Sequence, residues 1–301
     1  MAENTAADVP AVFAEIGRRK PSGWRRLITF ARTKPLGAIG GLVLLSMMAV
    51  AIVAPVISPY DPLMVDYDNK LVPPCTNFLL GTDKFGRDVL SRIIWGTRTS
   101  LYVGVLAVVL GKGIGGILGI MSAYLVGKFD LFLQRVMDSL IAFPALILAL
   151  AMVSALGPSK NNVVIAIALV FVASGCRVVR SAALSVKENQ YVEAARAIGC
   201  SMWRIMLLHI APQCVAPFII VVSVALGSAI LMEASLSFLG VGTPPPEPSW
   251  GRMLSGEGRS LVETAPWLAV FPGIAISLAV YGINILGDAL RDVLDPRLRG
   301  R

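Results

Sequence analysis

Residues Tyr191 to Gln213 read YVEAARAIGCSMWRIMLLHIAPQ, and apolar runs of membrane-spanning length lie on both sides of them. Within this segment Glu193-Ala194-Ala195 is followed by Gly199 and then by His209-Ile210-Ala211-Pro212. Glu193, Arg196 and Arg204 need water or a charged partner, whereas Ala194, Ala195, Ile198, Trp203, Ile205, Met206 and Leu208 need cover. Gly199 stands between two short apolar periodic stretches, where a glycine lets the backbone turn sharply. The pattern predicts helix, turn, helix, with one apolar and one charged face. Periodicity alone also fits an amphipathic helix lying on a membrane, or a plain connection between two spans.

The composition around this segment is that of a membrane protein. The chain has 301 residues, 55% hydrophobic and 15% charged, where a soluble domain carries roughly a quarter charged residues. Several uncharged runs exceed the roughly 18 to 20 residues that cross a bilayer as a helix. A membrane β-barrel would alternate apolar and polar residues, and that alternation is missing. The expected fold is an all-α polytopic membrane protein with six transmembrane helices. Cys75, Cys176, Cys200 and Cys214 form no Cys-x-x-Cys pair, and the single histidine, His209, has no cysteine at zinc spacing. No metal site is expected, and all four cysteines read as structural.

Residues 1–34 form a basic tail, with Arg18, Arg19, Lys20, Arg25, Arg26, Arg32 and Lys34, and Pro35 to Tyr60 then carries no charge. A cleaved signal peptide has an apolar core of only about 7 to 15 residues, so this run reads as a retained first span. The tail itself reads as disordered or as a surface helix with a short apolar face at Ala11, Val12, Phe13 and Ile16. Residues 35–100 combine the first span with an external loop ending in an amphipathic stretch, Val89, Leu90, Ile93, Ile94 and Trp95. The core, 101–290, holds span two (Leu101 to Leu125), span three (Ser139 to Leu156, kinked at Pro144) and span four (Val163 to Val179). The loop 181–212, span five to Phe238 and span six (Ala265 to Leu286) complete it, and 291–301 is a basic tail. Six spans place both termini and the 181–212 loop on one side. Segments assigned there hold 18 Lys/Arg against 10 Asp/Glu, while the opposite side holds 8 of each. Only Lys112 and Glu233 fall inside spans. By the positive-inside rule the termini and the loop are cytoplasmic. The same bias explains the net charge of +8 without any nucleic acid.

Glu193-Ala194-Ala195, three residues, Gly199, and the closing hydrophobic-proline turn resemble the EAA loop of ABC-importer permeases. In the first external loop, Gly81-Thr82-Asp83-Lys84-Phe85-Gly86-Arg87-Asp88, continuing to Ser91-Arg92, is similar to the GTDxxGRDxxSR segment of the dipeptide, oligopeptide and nickel permeases. Locally it reads as a turn followed by a helix, with Asp88 in the first turn, where a carboxylate suits the helix dipole. Leu140 to Pro144, Glu233 to Gly242 with Pro248 to Gly251, and Asn284 to Arg297 match the same family in order. The resemblance covers roughly residues 35 to 300 and points to the C-type subunit. It implies a type I importer architecture in which this permease pairs with a homologous second permease. Two ATPase subunits, which bind ATP and Mg, and an extracytoplasmic solute-binding protein complete the assembly. The resemblance further implies that Glu193, Ala194, Ala195, Arg196, Gly199, Arg204, His209 and Pro212 couple the chain to an ATPase. Its cargo would be a dipeptide or oligopeptide, with nickel chelates or glutathione-like peptides as alternatives.

In span two Gly111, Gly115, Gly119 and Ala123 recur at every fourth position, a spacing that allows close helix packing in lipid. Lys112 sits at mid-span, where the resembled family carries an apolar or small residue. A lone ammonium there costs at least about 2.5 to 3.5 kcal/mol on insertion scales. It either lines the solute path and attracts a carboxylate, or forms a structural ion pair or snorkels. Glu233, Asp138 and Asp288 lie near span ends, where interfacial water or a neighbouring helix can satisfy them. Gly111-Lys112 and Gly127-Lys128 lack the Ser or Thr and the preceding glycine of a P-loop, and neither His-Glu-x-x-His nor Gly-x-Ser-x-Gly occurs. The chain is therefore expected to be non-catalytic, without a cofactor of its own. A secondary transporter would need coupling groups at mid-membrane, and only Lys112 has that position. An intramembrane enzyme would need a nucleophile or paired carboxylates, which the spans lack. A purely structural membrane subunit would need none of these.

Overall fold

A computed structural model describes residues 29–294. The expectations for residues 1–28, including the short apolar face of the tail, and for 295–301, including the end of the Asn284–Arg297 stretch, lie outside them.

Helix α1 is Pro35–Ile57, opened by a proline whose fixed φ suits a first turn. Leu42, Leu45, Ile52 and Val56 project from it, each more than 60% exposed, as a lipid-facing surface requires. Helix α2 is Val89–Leu125, 37 residues long. The amphipathic stretch expected as a separate piece of the external loop is the beginning of this helix, because no proline separates it from the span. Asp88 is the N-cap of α2 and not a first-turn residue: its Oδ2 accepts from Ser91 N at 2.7 Å and from Ser91 Oγ at 2.6 Å.

The single kinked span expected around Pro144 is instead a pair, α3 (Gly127–Ala142) and α4 (Ala145–Leu156), bent by 95°. Proline restricts the residue before it to extended backbone, and Phe143 has ψ 137°. A kink would keep Phe143 helical, so the chain breaks there. Helix α5 is Lys160–Lys187 and α6 is Gln190–Ala197. Helix α7 runs unbroken over Met202–Phe238, with a π-helical turn at Ile205–Ile210. That widened turn directly precedes Pro212, which has no N–H for the helical ladder. Short helices α8 (Trp250–Leu254) and α9 (Glu257–Ser260) precede α10, Trp267–Leu294. Among the described residues five helices are long and apolar enough to cross a membrane, and the α3–α4 pair makes a sixth crossing if taken as one broken span.

The tightest packing joins α2 to α5. A Cβ on Gly111, Gly115 or Gly119 would run into the carbonyl oxygens of Ala168, Val172 and Cys176 respectively. Each set recurs every four residues, so ridge meets groove along the whole contact. Above it Val103, Ala107, Val163, Ile167, Ala229 and Leu236 form the main core. The charged groups at the helix ends pair locally. Asp130 of α3 accepts from Arg180 Nε at 2.7 Å and from Ser122, and Asp138 pairs with Arg177. Lys34 reaches Asp292 at 2.7 Å, which closes the end of the bundle that carries both described termini. That end is called basal here. The opposite end, formed by 58–88 and 239–266, is called capped.

Candidate functional site

At the basal end α6 and the first turns of α7 form a bracket. Val192 and Ala195, three residues apart on α6, are buried with Ile205, Ile210 and Cys214 of α7, Val179 and Ala183 of α5, and Ala123 of α2. The α6 helix ends in a paired-bond turn: Cys200 N donates to Ala195 O at 3.0 Å and Gly199 N to Arg196 O at 2.9 Å. Gly199 has φ +79° and open space where a Cβ would lie, so glycine serves the backbone conformation here and not close packing. Glu193, Ala194, Arg196, Gly199, Arg204 and Pro212 lie on the exposed side, and His209 is half-buried. Ala195 belongs to the inner face. The outer face also carries apolar groups expected to need cover: Ile198 is 80% exposed, Leu208 63% and Trp203 56%. Trp203 and Leu207 stand four residues apart on one helix, and that spacing could have marked this side. The bracket is tied to the spans by charge as well. Lys187 Nζ donates to Ala123 O at 3.2 Å at the carboxyl end of α2, where a cation suits the helix dipole. Arg196 lies over the Tyr124 ring at 5.3 Å.

Lys112 is 3% exposed, deep in the bundle. Its Nζ donates to Ser174 Oγ at 2.5 Å and lies over the Phe171 ring at 5.0 Å, both on α5. The ion pair held open for it does not form among the described residues, and its head group does not snorkel to a helix end. It borders a cavity of about 450 Å³ between α2, α5, α7 and α10.

The capped end is organised by the Gly81–Asp88 stretch. Thr82 is fully buried; its Oγ1 donates to Asn69 O at 2.6 Å and accepts from Val72 N at 2.9 Å. Asp83 accepts from Phe85 N, from Arg87 N and, at 2.6 Å, from Arg87 Nε, while Arg92 Nε lies 3.7 Å away. Gly81 and Gly86 have φ +78° and +76°, and at Gly86 a Cβ would collide with the Asp66 backbone. These six residues therefore fold the loop against itself. Arg87, Arg92 and Arg252 line a cavity of about 350 Å³ with Asp83. Burial, and then the charge of Arg87, lowers the Arg252 guanidinium from its usual value. Of the two partners expected for Glu233, interfacial water or a neighbouring helix, the structure shows the second. The carboxyl group is fully buried and accepts from Ser100 Oγ of α2 at 3.0 Å, and from Ser237 Oγ of its own helix at 2.8 Å. Thr243 N donates to Ser237 Oγ at 3.3 Å, which ties the 239–249 loop to this carboxyl group.

Among the described residues no group of His, Cys, Asp and Glu could hold a metal ion. Residues 115–300 match the family described as the binding-protein-dependent transport system inner membrane component. Residues 22–74 match the N-terminal transmembrane domain of oligopeptide transport permease C. A putative peptide transport system permease protein of Brucella suis is 44% identical over 261 residues, 87% of this chain and 88% of its own. A dipeptide transport system permease protein of Alkalihalophilus pseudofirmus is 40% identical over 278 residues, 92% of this chain and 91% of its own. A glutathione transport system permease protein of Pectobacterium atrosepticum is 41% identical over 277 residues, 92% of this chain and 90% of its own.

Proposed function

This chain belongs to the family of binding-protein-dependent transport system inner membrane components, and from that membership we propose that it is one of two homologous permeases in an ATP-driven peptide importer. Its basal end faces the cytoplasm and docks an ATPase, and its capped end receives a solute-binding protein. ATP and Mg belong to the partner ATPases, and this chain performs no hydrolysis. The observation that carries this assignment is the two-sided α6 helix. Its inner face is buried against three spans, and its outer face offers Glu193, Arg196 and Ile198 to a partner. Force applied to the outer face therefore reaches α2, α5 and α7 directly. ATP binding can shift the path between its two openings only through contacts at this joint that differ between the two states.

The cargo is a small peptide, as the names of the peptide and dipeptide permease relatives suggest. Glutathione is the second candidate, and a 41% identical relative named for glutathione transport supports it.

Co-purification of the ATPases tests the joint. Proline at 199 cannot adopt φ +79° and removes the N–H bonded to Arg196 O. Gly199→Pro is expected to reduce ATPase recovery at least tenfold. Ile198→Glu alters only the outer face and is expected to do the same without any loss of folded permease. Undiminished recovery with both variants would overturn the coupling assignment, and no ATPase with the wild type would overturn the importer.

A further inference from the structure

Lys112 is a basic side chain in the interior of a membrane span with no counter-charge among the described residues. Its stem is accommodated by design of the facing helix: a Cβ on Gly175 would lie only 3.2 Å from Lys112 Cδ. Its ammonium carries three donors, of which Ser174 Oγ accepts one. The Phe171 ring supplies a second, weaker stabilisation from its face. No carboxylate among the described residues pairs with it. The cavity it borders has apolar walls at Pro217 and Val224, one hydroxyl at Ser228 and a second cation at Arg291. Two positive groups and no acid among the described residues line it, so the cavity favours an anion over a cation.

We propose that this cavity binds the carboxylate of the transported solute, with Lys112 as its direct partner and Arg291 setting the favourable field toward the basal end. The proposal rests on the importer assignment and specifies its substrate: a small peptide with a free carboxylate, whose apolar side chains meet the Pro217 and Val224 walls. Ser174 and Phe171 hold the ammonium while the cavity is empty, so the site exists before the solute arrives. The volume of about 450 Å³ has room for a dipeptide.

The test uses the whole complex in proteoliposomes, with saturating binding protein, and compares a dipeptide with its C-terminal amide. Lys112→Met conserves volume and removes the charge. It is expected to lower ATP-driven uptake of the dipeptide at least tenfold, to change uptake of the amide less than twofold, and to leave co-purification of the second permease and ATPases intact. Lys112→Arg is expected to keep dipeptide uptake within about threefold, a smaller loss because charge survives while geometry changes. Equal loss for dipeptide and amide would overturn the proposal and make Lys112 structural. Loss of the second permease with Lys112→Met would also overturn it, by assigning the ammonium to a carboxylate of that subunit. Absence of ATP-driven uptake with the wild type, for both solutes, would instead sink the importer assignment.

Discussion

Glu233 shows how much one side chain decides at the capped end. Its two oxygens serve hydroxyls from α2 and from its own helix, and through Ser237 they reach the backbone of Thr243. An apolar replacement would leave Ser100 and Ser237 without their acceptor in a dry interior, at about 1 to 3 kcal/mol for each unmet group. Glu233→Leu should therefore lower the thermal unfolding midpoint of the detergent-purified chain by roughly 5 °C or more. Glu233→Gln keeps a carbonyl oxygen at the same place and should stay within about 2 °C of the wild type. A small shift for the leucine variant would show that water reaches the serines. Sequence placed Glu233 at a span end but could not show which hydroxyls close over it, since Ser100 lies 133 positions away. The same limit applies at the basal end. Gly199 was legible as a turn because αL backbone has a local signature, whereas the inward side of Ala195 depends on where Ile205 and Cys214 pack. Lys112 stood out from sequence for its cost alone, and Ser174, Gly175 and Arg291 became its neighbours only once α5 and α10 were in place.

For the helices, periodicity and hydropathy located every long crossing, since lipid leaves few alternatives for an uncharged run of that length. They did not locate the ends. The external stretch before Leu101 merges into α2 because Asp88 caps it further upstream, and Pro144 breaks the chain where a kink was expected. Both outcomes turn on one residue at a boundary, where propensity is weakest. The glycine stripe of α2 makes an element-scale test with its own control. Gly115 is covered by Val172 and Cys176 of α5, while Gly113, two residues earlier, has nothing within 4 Å of an added Cβ. Gly115→Leu should separate α2 from α5 and abolish recovery of monodisperse protein. Gly113→Leu should be recovered at about the wild-type level, and comparable loss in both would show that the stripe does not hold the pair. Size-exclusion chromatography after detergent extraction reads either result.

Taken whole, the molecule has a self-bonded lid at one end and an exposed bracket at the other, and its cysteines can report which way it sits. Cys75 is exposed at the capped end, Cys200 is half-buried in the bracket, and Cys176 and Cys214 are buried. A membrane-impermeant maleimide applied to intact cells should label Cys75 and spare Cys200, and open membranes should add Cys200. Labelling of Cys200 in intact cells would reverse the proposed orientation. The helical layout of this molecule was readable because hydropathy is a sum over many residues, which single contacts do not disturb. What such sums miss is continuity. Helix α7 begins in the bracket at Met202 and ends beside the lid at Phe238, with no break between. At 1.5 Å per residue such a rod is about 55 Å long, so each degree of tilt about its basal pivot moves the far tip by about 1 Å. A small rotation imposed at the bracket would thus be felt at the lid as a displacement many times larger than at the bracket itself.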